Sequence, residues 1–448
     1  MKLARSHFSP VAVSLAAVAL SCAVAQAQPK PQQPVPDTLD LPTSIAFALE
    51  NNFSIRQARE RIRQQDGVVI EVSARTIPAV AADAVYQRND REISGGFPAS
   101  DRTWQIGLTA SQVIYAGGAV TSAVKGTKLV REAALLDLQT AINEALLQVR
   151  TSFYRVLLAR EQIKVQESNL ELLQQQLKNS TDRFNAGTVS SFEKLRAEVA
   201  VANAKVPLIT ARNDWRLAIE AMRQALGFTT TTAESLRKVP DFVGTLQFAP
   251  VSFDLQTAFE AARAHRPDLE RIAKLAQAGA EGVTAARAGL YPNVSAFGGW
   301  QLRKGATDSF GDSDNGWRVG VQSQWNIFDG RATQGRVAQA RSALEQTRLS
   351  LAEAELAVDV EVRRAHSQWQ QATELAEASA AVVGQATEAV RLANARYNAG
   401  TGTQLDVLSA QVDLTTASTN QIQAFYGYNV AVAALRKAMG QADEFVTK

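Results

Sequence analysis

The chain carries two copies of one pattern. Arg183-Phe184-Asn185-Ala186-Gly187-Thr188 recurs as Arg396-Tyr397-Asn398-Ala399-Gly400-Thr401, 213 positions further on. At the same offset Trp104-Gln105-Ile106-Gly107 returns as Trp317-Arg318-Val319-Gly320, and Tyr115-Ala116-Gly117 as Phe328-Asp329-Gly330. Ala225-Leu226-Gly227 returns as Ala438-Met439-Gly440, and Ile77-Pro78 returns as Tyr291-Pro292 at an offset of 214. Matches so widely spread at nearly one offset mark an internal duplication. The repeats are assigned to residues 39–227 and 257–440, with an irregular linker over 228–256 and a tail over 441–448.

Each repeat reads in one order: a medium helix (about Ser54 to Arg75, and about Leu269 to Ala288), two strands, a very long helix, a tight turn and a second long helix. Between Gly126 and Gly187 lie 60 residues without glycine or proline, and the matching stretch from Arg331 to Ala399 is interrupted only by Gly335 and Gly384. No proline follows Pro292, and proline is the residue a helix interior tolerates least. At about 1.5 Å per residue each long helix spans roughly 90–100 Å, more than a compact domain uses. Leu135, Leu138, Ile142, Ala145 and Val149 step by 3 and 4, a coiled-coil seam. The hairpin tips are set at about 184–190 and 397–403, with Gly187 and Gly400 in the left-handed position that ends a helix. The return helices open with capping pairs, Ser190 with Glu193 and Thr403 with Asp406, and run to about Leu226 and Met439. Pro207 is expected to kink or offset the first of them.

The strands are expected at about 78–90, 103–115, 292–304 and 316–328. In the last, Trp317, Val319, Val321, Trp325 and Ile327 alternate with Arg318, Gly320, Gln322, Gln324 and Asn326. About ten residues with one apolar and one polar face suit an outer-membrane barrel wall, and equally a half-buried sheet in a soluble domain. The aromatics Trp104, Tyr115, Tyr291, Trp300, Trp317, Trp325 and Phe328 read as girdles at the membrane interface. Polar, Gly- and Ser-rich loops, Asn89 to Thr103 and Lys304 to Gly316, join the strand pairs, as extracellular loops do. Four strands cannot close a barrel, and an open edge in lipid leaves backbone groups unsatisfied. The chain must therefore share a barrel with copies of itself: two copies give eight strands, and three give twelve with room for a lumen.

The N-terminal region reads as an address. Lys2 and Arg5 precede an apolar stretch from Val11 to about Ala25, followed by small-residue cleavage patterns, so residues 1–27 form a secretory signal peptide. A Pro/Gln-rich leader covers 28–38. The single cysteine, Cys22, lies inside the signal; acylation there is the alternative to cleavage. A net charge of +3, from 47 Lys plus Arg against 44 Asp plus Glu, gives no reason to expect nucleic acid. Beyond the signal there is no apolar run of 18 residues, so a membrane span must be a β-barrel.

The duplication, the two-strand insertions and the hairpins together resemble the TolC family of outer-membrane factors, over about Leu39 to Gly440. The most specific pieces are Arg396-Tyr397-Asn398-Ala399-Gly400-Thr401 with Leu405-Asp406-Val407-Leu408, and Asn326-Ile327-Phe328-Asp329-Gly330 leading into the long helix. The resemblance implies an α+β membrane protein: long helices forming a trimeric α-helical barrel, and four strands per chain in a shared 12-stranded transmembrane β-barrel embedded in outer-membrane lipid. It implies a passive exit duct of a tripartite export system, with a periplasmic adaptor and an inner-membrane pump as partners. The entrance and gate would be formed around Glu193, Tyr397, Gly402, Asp406 and Ser409. The tips Asn185, Ala186, Gly187, Thr188, Asn398, Ala399, Gly400 and Thr401 would dock the adaptor. Two family positions differ here: a gate arginine falls on Gly402 and a second acid on Ser409. The family's Asn-Pro is Asn52-Phe53 in the first repeat, and Arg266-Pro267 keeps only the proline. Small-molecule efflux and type I protein secretion both use such ducts; a periplasmic coiled-coil scaffold without a pore is the reading from another class.

No catalytic constellation, cofactor site or metal site is expected. His265 and His366 stand alone, without metal-ligand spacing. Ser191-Phe192-Glu193-Lys194 lacks the companion motifs of the Ser-x-x-Lys enzymes. Gly400-Thr401-Gly402 follows no strand and precedes no Gly-Lys-Ser/Thr, so it is no phosphate loop.

Overall fold

The computed structural model describes residues 37–88, 90, 102–228, 240–304 and 313–441. The signal peptide, the leader up to 36, most of the two strand-connecting loops, the linker over 229–239 and the tail over 442–448 lie outside the described residues. The elements are β1 (Thr38–Leu39), α1 (Leu41–Asn51), α2 (Phe53–Ser73), β2 (Ala79–Arg88), β3 (Arg102–Ala116), α3 (Ala119–Asn185) and α4 (Ser191–Leu226). There follow β4 (Asp241–Phe242), α5 (Leu255–His265), α6 (Pro267–Arg287), β5 (Asn293–Lys304), β6 (Ser313–Gln324), α7 (Ala332–Asn398) and α8 (Gln404–Ala438).

The two long helices have 67 residues each, about 100 Å. α3 packs against α4 on one side and α8 on the other, and α8 packs against α7. The helices therefore run in the order α4-α3-α8-α7, with α4 and α7 outermost. Helix α4 continues through Pro207, so a missing N–H there does not end the helix.

The duplication is visible in the core. Val149 and Val362 have 0% exposure, as do Met222 and Leu435, each pair at the sequence offset of 213. One cluster gathers Ile45, Leu146, Phe153, Leu157 and Leu226 around α1, α3 and α4; the other gathers Ala262, Leu269, Val358 and Met439 around α5 to α8. The coiled-coil seam is buried at Ala145 and Val149, but Leu135 at its other end is exposed. His366 occupies the position matching Phe153; it is buried, and its Nε2 donates to the carbonyl of Phe253 at 3.3 Å.

The short helices α1 and α5 precede the medium helices foreseen in each repeat. Asp40 caps the first through the Thr43 N–H, and Asp254 caps the second through the Thr257 N–H. Their signal was an N-cap aspartate before a short amphipathic run.

The large sheet has the order β2-β3-β5-β6, all neighbours antiparallel. Two strand limits expected from the sequence need correction. The last strand begins earlier, at Ser313, and ends at Gln324, so Trp325, Ile327 and Phe328 leave the sheet as irregular backbone. Trp325 is tied there by its indole N–H to the carbonyl of Leu290 at 3.1 Å. The first strand stops at Arg88 rather than running to 90. Between Val113 and Tyr115 the β3–β5 register shifts, so strict alternation over Trp104 to Tyr115 breaks at a bulge.

Candidate functional site

The sheet separates two chemistries. Directly opposed residues share a face, and the register sets Tyr86 against Trp104, Ala84 against Ile106, Ile106 against Leu302, Leu108 against Trp300, and Trp300 against Trp317. Val80, Tyr86, Ile106, Leu108, Trp300, Trp317, Val319 and Val321 are all exposed on this face. The alternate residues are Asp83, Gln105, Gly107, Gln301, Arg318 and Gln322. Aromatics at the helix end of the sheet, Tyr115, Tyr291, Trp325 and Phe328, are exposed as well. Trp104 differs: it is 7% exposed, covered rather than open. No helix among the described residues is long and apolar enough to cross a membrane, so the apolar sheet face is the membrane-facing surface.

The helical hairpins lie at the other end. Each long helix closes in a Schellman motif. Gly187 has φ +73° and donates to Phe184 O at 2.9 Å, while the Thr188 N–H donates to Arg183 O at 2.9 Å. Gly400, at φ +75°, donates to Tyr397 O at 3.1 Å, and the Thr401 N–H to Arg396 O at 2.9 Å. Asn185 and Asn398 are the last helical residues, and Ala186 and Ala399 the caps. All eight tip residues, Asn185 to Thr188 and Asn398 to Thr401, are exposed.

The two return helices start differently. Thr403 and Asp406 form the full capping box: the Asp406 N–H donates to the Thr403 hydroxyl at 3.2 Å, and the Thr403 N–H to the Asp406 carboxylate at 2.8 Å. Those hydrogen bonds, with a smaller contribution from the Arg396 charge, hold Asp406 below the ordinary carboxylate range. The corresponding expectation for Ser190 is overturned, since its side chain makes no cap hydrogen bond. Glu193 keeps the third helical position, but its Oε2 is buried without a partner in the chain. The physical reason lies in a residue the sequence reading missed. Gln404, 4% exposed, donates to the Ser180 hydroxyl at 3.0 Å and to the Glu193 carbonyl at 3.1 Å, tying α8 to both α3 and α4. Its only sequence signal was a polar residue at the first helical position, where polar residues are common.

Tyr397 is buried against the first hairpin. The Arg183 guanidinium stands 4.5 Å from its ring centroid and donates to Asn398 Oδ1 at 3.3 Å. The Tyr397 hydroxyl is buried without a partner in the chain. Gly402 donates to Arg396 O at 3.1 Å, and a Cβ there would stand 3.1 Å from Tyr397 N; an arginine at this position needs the turn to shift. Ser409 is exposed one turn beyond Asp406. The structure thus brings Arg183, Glu193, Tyr397 and Gln404 together through direct contacts, while Asp406 and Ser409 face solvent.

A second charged cluster lies where α5 meets α6. Arg266 is paired with Asp268 at 2.7 Å and Glu361 at 2.5 Å, and Lys437 reaches Glu361 at 3.0 Å. Burial pushes both carboxyls up, but the Arg266 hydrogen bonds and charge outweigh it and hold them below their ordinary range, with Lys437 adding to the effect on Glu361. Arg266 also donates to Ala438 O at 3.5 Å, where the first repeat uses Asn52 to Ala225 O at 2.7 Å. A longer cation thus replaces the amide that clamps the repeat's last helix. Among the described residues no group of His, Cys, Asp and Glu could hold a metal ion.

A four-stranded sheet with an apolar outer face, set on helices of about 100 Å, defines a subunit of an outer-membrane channel. The chain belongs to the outer membrane efflux protein family, whose sequence model matches residues 45–228 and 258–441, once over each repeat. It is a TolC-family outer-membrane factor, located in the outer membrane and extending into the periplasm. Protein CyaE of Bordetella pertussis is 25% identical over 93% of this chain and 88% of its own length. The outer membrane efflux protein BepC of Brucella suis is 25% identical over 89% and 84%. Among solved structures, the Campylobacter jejuni CmeC outer membrane channel superposes with a TM-score of 0.78 at 17% identity, covering 90% of this chain and 87% of that one. CusC superposes at 0.75 with 19% identity over 94% and 100%. Family and structural neighbours are channels rather than enzymes.

Proposed function

We propose that three copies of this chain close into one conduit, a 12-stranded barrel in the outer membrane continued by a ring of helices, forming the exit duct of a tripartite export system. The observation that carries the reading is the pair of open edges. The sheet ends in β2 on one side and β6 on the other, and the helix layer ends in α4 and α7. An open sheet edge in lipid costs several kcal/mol per unsatisfied group, and β2 of one copy is free to pair with β6 of the next. The outer helices carry matching apolar surface: Phe192, Leu195, Val199 and Val206 on α4, Leu349 and Leu356 on α7, all exposed.

In this reading the polar sheet face lines the lumen and transport is passive, driven by an inner-membrane pump. The exposed tips at 185–188 and 398–401 take a periplasmic adaptor, as exposed loops on a rigid scaffold can. The hairpin contacts around Tyr397, Glu193 and Gly402 form the gate, with Asp406 and Ser409 toward the entrance. CyaE and the alkaline protease secretion protein AprF of Pseudomonas aeruginosa, 23% identical, support type I secretion. The pyoverdine export protein OpmQ of Pseudomonas putida, 26% identical, supports small-molecule export.

The test is oligomeric mass in detergent together with conductance in planar bilayers. The expected result is a threefold multiple of the 48.3 kDa chain and discrete single-channel steps. A monomer without conductance overturns the proposal.

A further inference from the structure

We propose that the loop end of the sheet, on its membrane-facing side, binds the phosphate groups of an outer-leaflet glycolipid through Arg88, Arg102 and Lys304. The register sets Arg88 directly opposite Arg102. Both continue the face of Tyr86 and Trp104, two residues further toward the loops. On β5, Lys304 continues the face of Leu302 and Trp300. Three cations on three neighbouring strands thus cap the apolar face at one height. Arg88 and Arg102 are exposed and Lys304 is half-buried.

Two features point to a phosphate ligand. The first is the pairing. On the inward face at this end Arg303 meets a carboxylate, Asp314, at 3.7 Å; on the outward face the register opposes cation to cation instead. Like charges directly opposite weaken a strand pair, and an anion shared between them offsets that. A guanidinium carries five N–H donors in a planar fork that matches phosphate, so a partner from the protein leaves donors for a ligand.

The second is depth. Tyrosine and tryptophan sit at the headgroup level. The arginine pair lies two residues, about 7 Å along the strand, beyond Tyr86 and Trp104, and Lys304 lies four residues, about 13 Å, beyond Trp300. That height is the phosphate layer outside the acyl chains. The helices leave from the opposite end of the sheet, so this end faces the outer leaflet of the outer membrane. A basic rim directly above an aromatic belt fits a lipid whose headgroup carries phosphate on a sugar.

The experiment is native mass spectrometry of the full-length assembly after incubation with vesicles containing bisphosphorylated lipid A, or with the same lipid enzymatically dephosphorylated. Wild type is expected to retain the phosphorylated lipid and not the dephosphorylated one. R88A/R102A/K304A is expected to retain roughly a hundredfold less, and R88K/R102K to keep most of the binding. Circular dichroism of each variant reports whether the barrel has formed. Equal retention of both lipids by wild type overturns the proposal even if the alanine variant fails to fold, as does undiminished retention by a folded alanine variant.

Discussion

The Arg183 guanidinium covers the ring of Tyr397 at 4.5 Å, joining the tip of one hairpin to the tip of the other. The partners are not repeat equivalents: Arg183 corresponds to Arg396, and Tyr397 to Phe184. A duplicated chain has here made an asymmetric contact, with the cation from one repeat and the electron-rich face from the other.

If this contact helps hold the entrance closed, R183A removes a cation–π interaction worth about 1 kcal/mol. The open fraction then rises roughly fivefold, read as a higher time-averaged conductance in planar bilayers. An R183K variant retains most of the closure. Unchanged conductance in R183A assigns the gate to other residues.

Gln404 is the second tie, to Ser180 and to the Glu193 carbonyl. Q404L keeps the volume near that of glutamine but leaves the Ser180 hydroxyl and the Glu193 carbonyl without this donor. A cost of about 1–3 kcal/mol is expected, seen as faster amide exchange in the first turns of α4 and α8. Protection equal to wild type would show that the link carries no weight.

Thr403 makes the α8 cap that Ser190 does not make for α4. T403A is expected to cost about 1 kcal/mol locally, whereas S190A should leave exchange in α4 unchanged. Equal effects in both variants contradict the different cap geometries.

The Arg266 cluster predicts acid sensitivity. Asp268 and Glu361 are held below their ordinary range in the folded chain. Their contribution is therefore present above the unfolded values of about 4 and is lost as pH falls through the lower folded values. E361Q removes the Glu361 part at neutral pH. Glu361 keeps 38% exposure, so the cost is about 1–2 kcal/mol, less than for a fully buried pair. Thermal unfolding at pH 7 and pH 3 checks this: the gap between wild type and E361Q should narrow in acid.

The aromatic positions divide by what a local pattern can carry. Trp317 and Trp300 were legible as membrane-facing because alternation alone assigns a residue to a face of a strand. Trp325 and Phe328 were not, because the strand ends at Gln324 and the Trp325 indole bonds a carbonyl 35 positions earlier in the chain. The gate positions show the same division. Gly187 and Gly400 were readable as helix ends because a left-handed turn demands glycine. Gln404 was not, because its role depends on which helix end packs beside it.

The sequence by itself determined the duplication, the two long helices, the alternating strands and the hairpin tips. Each rests on a periodicity or a backbone constraint that acts within a few residues. Only the tertiary structure decided that Ser190 fails to cap, that Arg183 covers Tyr397, that Arg266 clamps the last helix where Asn52 clamps the first repeat, and that cations face one another at the loop end of the sheet. These are contacts between segments up to two hundred residues apart, and they follow from how the two repeats pack rather than from either repeat alone.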